Sequence, residues 1–281
     1  MTAGPDDRSR RVAAGQDDLS RRVAAGQDDL SRRAAAGQDD LSRRVALVTG
    51  GSGGLGSAIC ERLAAAGVAV AVGYGRSGEA AEAVVARIVA AGGRAAAVQG
   101  DAAIPEDCSR IADATEAALG PIDVLVPNAG VSRLQATEDV GLEDWDHLMA
   151  VNLRAPFLLA QRVTPGMRER RWGRVLFMSS VGALRGSALG PHYAASKAGL
   201  LGLTHDLAAR LAGDGITVNA LAPALVADTA MVQGNPELTR QPPPIGRFGR
   251  SAEVADLALA VLANGYVTSQ VVGIDGGIYP R

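Results

Sequence analysis

Val45-Ala-Leu-Val-Thr49-Gly50-Gly-Ser-Gly-Gly-Leu-Gly56 is the stretch of this sequence that decides the fold. Its continuous apolar run predicts a buried β-strand over 45–49, and its glycine-rich turn leads into a helical pattern. At the first strand-to-helix turn of a doubly wound sheet, glycines let the backbone approach a pyrophosphate, whose charge the helix N-terminus stabilises. The position of the turn therefore favours a dinucleotide site over a merely mobile loop, with contacts at Gly50, Ser52, Gly53, Gly54, Leu55 and Gly56.

Strand and helix patterns alternate along the rest of the chain. Helical patterns separate short apolar runs, as in right-handed βαβ units on a parallel sheet. The runs are continuously apolar, which is expected for strands that helices cover on both faces. The sequence therefore predicts one α/β domain with a Rossmann-like, doubly wound, seven-stranded parallel sheet. Predicted strands cover 45–49, 68–72, 95–99, 122–126, 174–178, 216–220 and 270–274, and predicted helices cover 55–66, 79–91, 105–119, 142–171, 192–212 and 252–263.

Residues 1–42 differ from everything that follows them. An 11-residue repeat, Arg-Arg-Val-Ala-Ala-Gly-Gln-Asp-Asp-Leu-Ser, begins at Arg10 and recurs at Arg21 and, with alanine in place of valine, at Arg32. The spacing of Asp pairs before Arg pairs favours helical ion pairs, but each repeat also carries a glycine and few apolar residues. We predict a flexible or partly helical extension over 1–42 and the Rossmann-like domain over 43–281. The alternative for the extension is a docking arm or a coiled assembly element.

Composition excludes several classes of function. The net charge of −2 gives no reason to expect nucleic acid or an acidic membrane as a partner. The two cysteines exclude a disulfide scaffold and favour a reducing, cytoplasmic location. The sequence contains neither a transmembrane run nor a signal-type apolar segment, and its three histidines lack metal-ligand spacing, so we predict no membrane span and no metal site.

The end of the second predicted strand distinguishes NAD from NADP. An acidic residue about 20 positions beyond the glycine-rich turn would hold the ribose 2′-hydroxyl of NAD. That stretch reads Gly73-Tyr-Gly-Arg76-Ser77, and its first carboxylate comes only at Glu79. An arginine pairs instead with a 2′-phosphate through charge-assisted hydrogen bonds. Arg76 and Ser77 therefore predict NADP(H), with a solvated loop charge as the alternative for Arg76.

Tyr193 and Lys197 stand four residues apart in a predicted helix, so both lie on one helix face. Lys197 is the one lysine among the 28 basic residues of the chain. A chain that uses arginine for surface charge needs lysine where a compact ammonium must approach its partners. Since such an ammonium favours the phenolate, we expect it to lower the pKa of Tyr193 and to make the phenol a usable general acid/base.

These motifs, with several others, resemble the short-chain dehydrogenase/reductase family, in the branch close to 3-oxoacyl-(acyl-carrier-protein) reductases. The resemblance spans residues 44–281, and the motifs occur in the family's order. They are TGxxxGxG at Thr49–Gly56, an acidic residue after the third strand at Asp101, Asn128-Ala129-Gly130 after the fourth strand, Asn152 in the long helical stretch, Ser180 after the fifth strand, YxxxK at Tyr193 and Lys197, and Pro223 with Val226 after the sixth strand. Further cofactor contacts that the resemblance implies are Ala102 and Thr229.

The resemblance also implies a mechanism. Ser180 would hydrogen-bond the substrate carbonyl, and Tyr193 would protonate it. Lys197 would hold the nicotinamide ribose and lower the Tyr193 pKa, while Asn152 would support a water that links Lys197 to solvent. The implied function is NADPH-dependent reduction of a 3-oxoacyl thioester or similar ketone to a secondary alcohol, by a homotetramer or homodimer. The alternatives are an alcohol or sugar dehydrogenase and a non-catalytic dinucleotide-binding regulator.

The sequence departs from the family's pattern in places. After the sixth strand the loop is one residue longer than usual, which leaves open whether Asp228 or Thr229 meets the cofactor. Carrier-protein reductases share two basic residues near the mouth; Arg171 matches one, but Asp214 takes the place of the other. A carboxylate there would repel an acidic carrier protein, so the sequence argues against acyl carrier protein as a partner. The proline-containing segment 224–250 is expected to cover the substrate pocket as a lid.

Overall fold

The computed structural model of the chain describes residues 40–279. The predicted sheet is confirmed: its strands are all parallel and lie in the order β3-β2-β1-β4-β5-β6-β7. The strands are β1 (Val45–Thr49), β2 (Ala69–Tyr74), β3 (Ala95–Gln99), β4 (Val124–Pro127), β5 (Gly173–Met178), β6 (Ile216–Pro223) and β7 (Val271–Ile274). Residues 1–39 of the predicted extension lie outside the described residues. The predicted boundary between the extension and the domain therefore stays a prediction.

Helices connect the strands. The α-helices are α1 (Gly54–Ala65), α2 (Gly78–Ala90), α3 (Pro105–Leu119), α4 (Leu142–Met149), α5 (Ala155–Glu169), α6 (Gly182–Arg185), α7 (Pro191–Leu211), α8 (Ala230–Gln233) and α9 (Ser251–Leu262). The segment after β6, expected from sequence to cover the substrate pocket, contains α8 and a 3₁₀ turn at Pro236–Thr239. No helix within the described part of the chain is both long and apolar enough to cross a membrane.

The alternation of side chains along each strand divides the core into two layers. In β1, Ala46 and Val48 pack into the layer beneath α1, α2 and α9, while Leu47 packs into the layer beneath α3, α5 and α7. All five residues of β1 are buried, which explains why its sequence is continuously apolar. Leu41, assigned from sequence to the extension, is 4% exposed and belongs to the first layer.

The strand order reverses between β1 and β4. From β1 the chain proceeds outward to β3 and then returns to the other side of β1, where Thr49 pairs with Pro127. The connections after these two strands diverge, and they leave a crevice at the carboxyl ends of the strands. Ligands of open α/β sheets bind at such a crevice.

Candidate active site

One cavity of about 1030 Å³ occupies this crevice. Most of the residues that the sequence singles out line it, from the glycine-rich turn, the ends of β4, β5 and β6, and the start of α7. They are Gly50, Ser52, Gly53, Gly54, Leu55, Gly56, Asn128, Ala129, Gly130, Ser180, Tyr193, Lys197, Pro223, Val226 and Thr229. The predicted residues that do not line it are Arg76, Ser77, Asp101, Ala102 and Asn152.

Two glycines of the turn pack closely against backbone. Gly50 has φ +63°, and a Cβ atom there would lie 2.9 Å from Ala129 Cα. A Cβ at Gly56 would lie 2.1 Å from the Gly50 carbonyl oxygen. No side chain caps the N-terminus of α1, so its first N–H groups remain free for an anionic group. These features fit the pyrophosphate of a dinucleotide.

The end of β4 holds this turn in place. The Asn128 side-chain amide donates hydrogen bonds to the carbonyls of Thr49 (3.1 Å) and Gly50 (3.2 Å). The Ala129 N–H donates to Thr49 Oγ1 at 3.1 Å. The predicted Asn-Ala-Gly motif therefore has a structural role, because Asn128 and Ala129 fix the glycine-rich turn against the end of β4.

The neighbouring residues Asp228 and Thr229 contact different parts of the molecule. Both oxygens of the Asp228 carboxylate accept from the Ser251 N–H, and Oδ1 also accepts from the Ser251 hydroxyl, at 2.9 Å. Thr229 lines the cavity. The Asp228 carboxylate is thus engaged at the N-terminus of α9, and the Thr229 hydroxyl donates to the Val226 carbonyl at 2.8 Å.

Ser180 faces the cavity from the segment after β5, and Tyr193 faces it from α7. Ser180 Oγ accepts a hydrogen bond from the Gly182 N–H at 3.0 Å. Tyr193 is 5% exposed, and its hydroxyl lies 3.9 Å from the weak acceptor Met231 Sδ. The Ser180 and Tyr193 hydroxyls also form a hydrogen bond with each other, so the two groups lie together at the cavity.

The pKa of Tyr193 differs from the sequence-based expectation. Burial of the phenol raises it, and the hydrogen bond with Ser180 offsets only part of this rise. The Lys197 ammonium donates to the Met178 carbonyl (2.9 Å) and lies 5.9 Å from the centre of the Tyr193 ring. Burial lowers the pKa of Lys197 itself to about 8. The expected lowering of the Tyr193 pKa by Lys197 is therefore wrong for the chain without a cofactor.

Asn152 lies behind the cavity in a π-helical turn, Ala150–Arg154, that interrupts the helix predicted over 142–171. Its amide donates to the Val131 carbonyl and to Ser196 Oγ, and its Oδ1 accepts from the Val131 N–H at 2.9 Å. π-Turns often occur at functional sites, where they redirect a side chain. A Cβ atom at Gly130 would lie 3.3 Å from both Asn152 Oδ1 and Lys197 Nζ, so the two side chains flank the same glycine.

The remaining predicted cofactor residues follow β2 and β3, at the same edge of the sheet but outside the cavity. Arg76 and Ser77 are exposed just before α2, whose N-terminus has no side-chain cap. Asp101 is exposed after β3, and its carboxylate accepts from the Ala103 N–H. Within residues 40–279, no three His, Cys, Asp or Glu side chains converge as metal ligands would.

Sequence reasoning missed several residues on the substrate side of the cavity. Met231, Leu238 and Arg185 line it, and Met231 and Leu238 also pack with Tyr193. The sequence gave no reason to place Met231 and Leu238 in the site, because methionine and leucine are ordinary core residues. Arg185 did not stand out either, because arginine supplies nearly all of this chain's positive charge.

Comparison with known proteins independently identifies the family of this chain. The model of the short chain dehydrogenase family matches residues 44–239. Nodulation protein G of Azospirillum brasilense is 41% identical over 241 residues, which cover 83% of this chain and 97% of that protein. The 3-oxoacyl-[acyl-carrier-protein] reductase of Synechocystis is 39% identical over 83% of this chain and 96% of its own length.

Solved structures agree with the sequence relatives. A 3-oxoacyl (acyl-carrier-protein) reductase from Agrobacterium tumefaciens with NADP bound has 35% identity and a TM-score of 0.78, over 84% of this chain and 95% of its own. A dehydrogenase/reductase from Sinorhizobium meliloti has 37% identity and the same TM-score, over 85% and 96%. With its parallel sheet, its glycine-lined crevice and these relatives, the chain belongs to the short-chain dehydrogenase/reductase family of oxidoreductases.

Proposed function

We propose that this chain is an NADPH-dependent carbonyl reductase that converts a 3-oxoacyl thioester or a similar ketone to a secondary alcohol. The observation that carries the proposal is the meeting of Ser180, Tyr193 and Lys197 with the glycine-rich turn in one cavity. A dinucleotide on that turn, at the carboxyl ends of the strands, brings its nicotinamide towards these side chains. The NADP-bound relative supports the choice of cofactor family.

Arg76 supports NADP(H) over NAD(H). Its guanidinium is exposed at the end of β2 and has no hydrogen-bond or ion-pair partner among the described residues. A 2′-phosphate at this edge would gain a charge-assisted, bidentate contact from it. Ser77 and the uncapped N-terminus of α2 offer further donors at the same place.

The protein groups divide the work of the reaction. When bound, NADPH supplies the hydride. Ser180 donates a hydrogen bond to the carbonyl oxygen, and Tyr193 transfers its phenolic proton to the same oxygen as charge develops there. Lys197 holds the nicotinamide ribose and stabilises the phenolate that Tyr193 leaves. Asn152 fixes Val131 and supports the water through which Lys197 exchanges protons with solvent.

Tyr193 could serve either direction of the reaction. In reduction its phenol gives a proton to the carbonyl oxygen, and in oxidation its phenolate takes one from the alcohol. Because the same side chains serve both directions, alcohol or sugar oxidation is the second candidate function.

The carrier-protein argument from sequence also changes. The Asp214 carboxylate accepts from Arg168 Nε at 2.8 Å, so a cation offsets its charge. Arg171 donates to the Gly213 carbonyl nearby. The repulsion expected of Asp214 is therefore weakened, and a carrier-linked thioester joins the coenzyme-A-linked and free ketones as a substrate to be tested.

Initial rates of NADPH and NADH consumption with acetoacetyl-coenzyme A test the proposal. Tyr193→Phe removes the proton donor and is expected to lower kcat by about two to four orders of magnitude, while NADPH still binds. Tyr266→Phe is the matched control, since Tyr266 is 98% exposed. Undiminished turnover in Tyr193→Phe would contradict the assigned acid. Tight NADPH binding without turnover of any ketone or alcohol would favour the non-catalytic regulator.

Arg76→Gln tests the cofactor. We expect the ratio of the kcat/KM values for NADPH and NADH to fall by roughly tenfold or more, because one charged hydrogen-bonding partner of the phosphate is lost. The rate with NADH is expected to change little. An unchanged ratio would show that Arg76 is only a solvated loop charge.

A further inference from the structure

Among the charged side chains that line the cavity, cations outnumber anions. Within the described part of the chain, these charged side chains are Arg185, Lys197, Glu237 and Arg240. Glu237 is the one anion, and it pairs with Arg240 at 3.1 Å. Lys197 is buried against the Met178 carbonyl in the reacting part of the cavity. Arg185 therefore remains as a lining cation with no carboxylate near it.

The chain places the backbone of Arg185 near Ser180. Arg185 is the last residue of α6, five residues after Ser180, and the Gly182 N–H ties the start of this helix to Ser180 Oγ. Its guanidinium has no hydrogen-bond or ion-pair partner within residues 40–279. The segment Arg185–Leu189 lines the cavity continuously before α7 brings Tyr193 back to it.

Arg185 is an exposed residue of the cavity lining, and the same lining holds an apolar cluster around Tyr193. Leu189 packs with Tyr193, and Met231 and Leu238 pack against the same cluster. Val232 and Ile278 add further apolar lining. A ligand that fills this space has an apolar stem next to the reacting carbonyl. A charge at the far end of such a stem meets an unpaired guanidinium, which suits planar bidentate binding of a carboxylate or phosphate.

From this arrangement we infer that Arg185 is a specificity residue that binds an anionic group on the substrate, so that the favoured substrates are ketones carrying a carboxylate or a phosphate. The inference rests on the proposed carbonyl reduction and names the substrate class for that same site. The anion has two chemical sources: the carboxylate of a free keto acid, or the phosphates of a coenzyme-type thioester.

Matched pairs of substrates separate these sources. Levulinate and its methyl ester differ in one negative charge, and the acetoacetyl thioesters of 4′-phosphopantetheine and of pantetheine differ in one phosphate. For the pair whose anion Arg185 binds, Arg185→Gln is expected to lower kcat/KM of the charged member by roughly tenfold or more and that of the neutral member by less than about twofold. Arg185→Lys, which keeps the charge, is expected to restore part of the loss.

Arg94→Gln is the control. Arg94 is exposed just before β3 and does not line the cavity, so its loss should not change the ratio between charged and neutral substrates. An equal loss for both members of each pair in Arg185→Gln would mean a structural role. An unchanged ratio in both pairs would likewise overturn the inference.

Equilibrium binding keeps this test separate from the proposed function. In the Tyr193→Phe enzyme with NADPH bound, the Kd values of levulinate and its ester can be measured without turnover. We expect the acid to bind more tightly, and Arg185→Gln in that background to remove the difference. If the wild-type enzyme reduces no ketone but this difference is present, the proposed reaction fails and the anion site stands. If ketones are reduced and the difference is absent, the reverse holds.

Discussion

The two walls of the cavity are built in different ways. The strand-end wall consists of the glycine-rich turn, Asn128–Gly130 and the start of α7, and the loop wall consists of residues 182–189 and 224–241. On the strand-end wall, a Cβ at Gly56 would meet backbone at 2.1 Å. On the loop wall, a Cβ at Gly186 would meet no atom within 4 Å. Tight backbone packing at Gly56 suits a cofactor of constant shape, whereas the open space at Gly186 permits this position of the loop wall to change without disturbing the cofactor.

The largest expected effect comes from filling the strand-end wall. Gly56→Ala places a Cβ against the Gly50 carbonyl, which cannot move without distorting the turn. We expect the Kd for NADPH to rise about 100-fold, equivalent to about 3 kcal/mol, at the upper end of typical overpacking costs. Isothermal titration calorimetry measures this change.

Gly202→Ala is the matched control for that substitution. Gly202 is an exposed position within α7, and a Cβ there meets nothing within 4 Å. Alanine is favoured over glycine in a helix by about 1 kcal/mol, so this variant is expected to gain stability and to bind NADPH normally. Equal NADPH affinity in the two variants would remove the contrast between the walls.

The second effect is a pH dependence that arises at the strand-end wall. Burial lowers the pKa of Lys197 from 10.5 to about 8, so between these values the unfolded chain binds more protons than the folded one. The stability of the cofactor-free protein should therefore rise with pH in this window, by about 2 kcal/mol between pH 8 and 10. Urea unfolding of wild type and Lys197→Met at several pH values isolates the contribution. Equal pH dependence in both would mean that Lys197 does not titrate there.

A smaller effect is expected where the loop wall joins the sheet. Asp228→Ala removes the acceptor for the Ser251 N–H and hydroxyl at the start of α9. Loss of a comparable helix-capping side chain costs about 1 kcal/mol. Thermal unfolding should show this loss, while Asp256→Ala, which removes only an exposed pair with Arg62, should have little effect. Since the Asp228 carbonyl abuts Gly54, NADPH affinity should also weaken slightly.

The smallest effect on NADPH binding is expected within the loop wall. Gly186 has φ +88° and ψ 159°, a conformation that essentially only glycine adopts, so Gly186→Ala is strained by about 1–3 kcal/mol through its backbone alone. Because no neighbour is displaced, the Kd for NADPH should stay unchanged, and any kinetic change should fall on the KM of the ketone. A weaker NADPH affinity in this variant would mean that the two walls are coupled.

Much of the cofactor wall was predictable from sequence, because it depends on local rules. Continuous apolar runs located the strands to within a few residues, and β3 and α3 match their predicted bounds. The helical stretches predicted over 142–171 match the observed helices in extent, but periodicity does not reveal the π-turn at Ala150–Arg154 between them. Within that turn, Asn152 forms two hydrogen bonds with Val131, 21 residues away in the sequence.

By itself, the sequence determined the sheet, the position of the glycine-rich turn and the pairing of Tyr193 with Lys197 on one helix. Each follows from the period of a single element or from the few residue types that a turn tolerates. Only the tertiary structure decided that Asp228 caps α9 while Thr229 lines the cavity, that burial raises the Tyr193 pKa, and that Arg185 is left without a carboxylate. The hydrogen-bond partners and the burial of a side chain depend on segments that are distant in sequence, so no local sequence pattern predicts them.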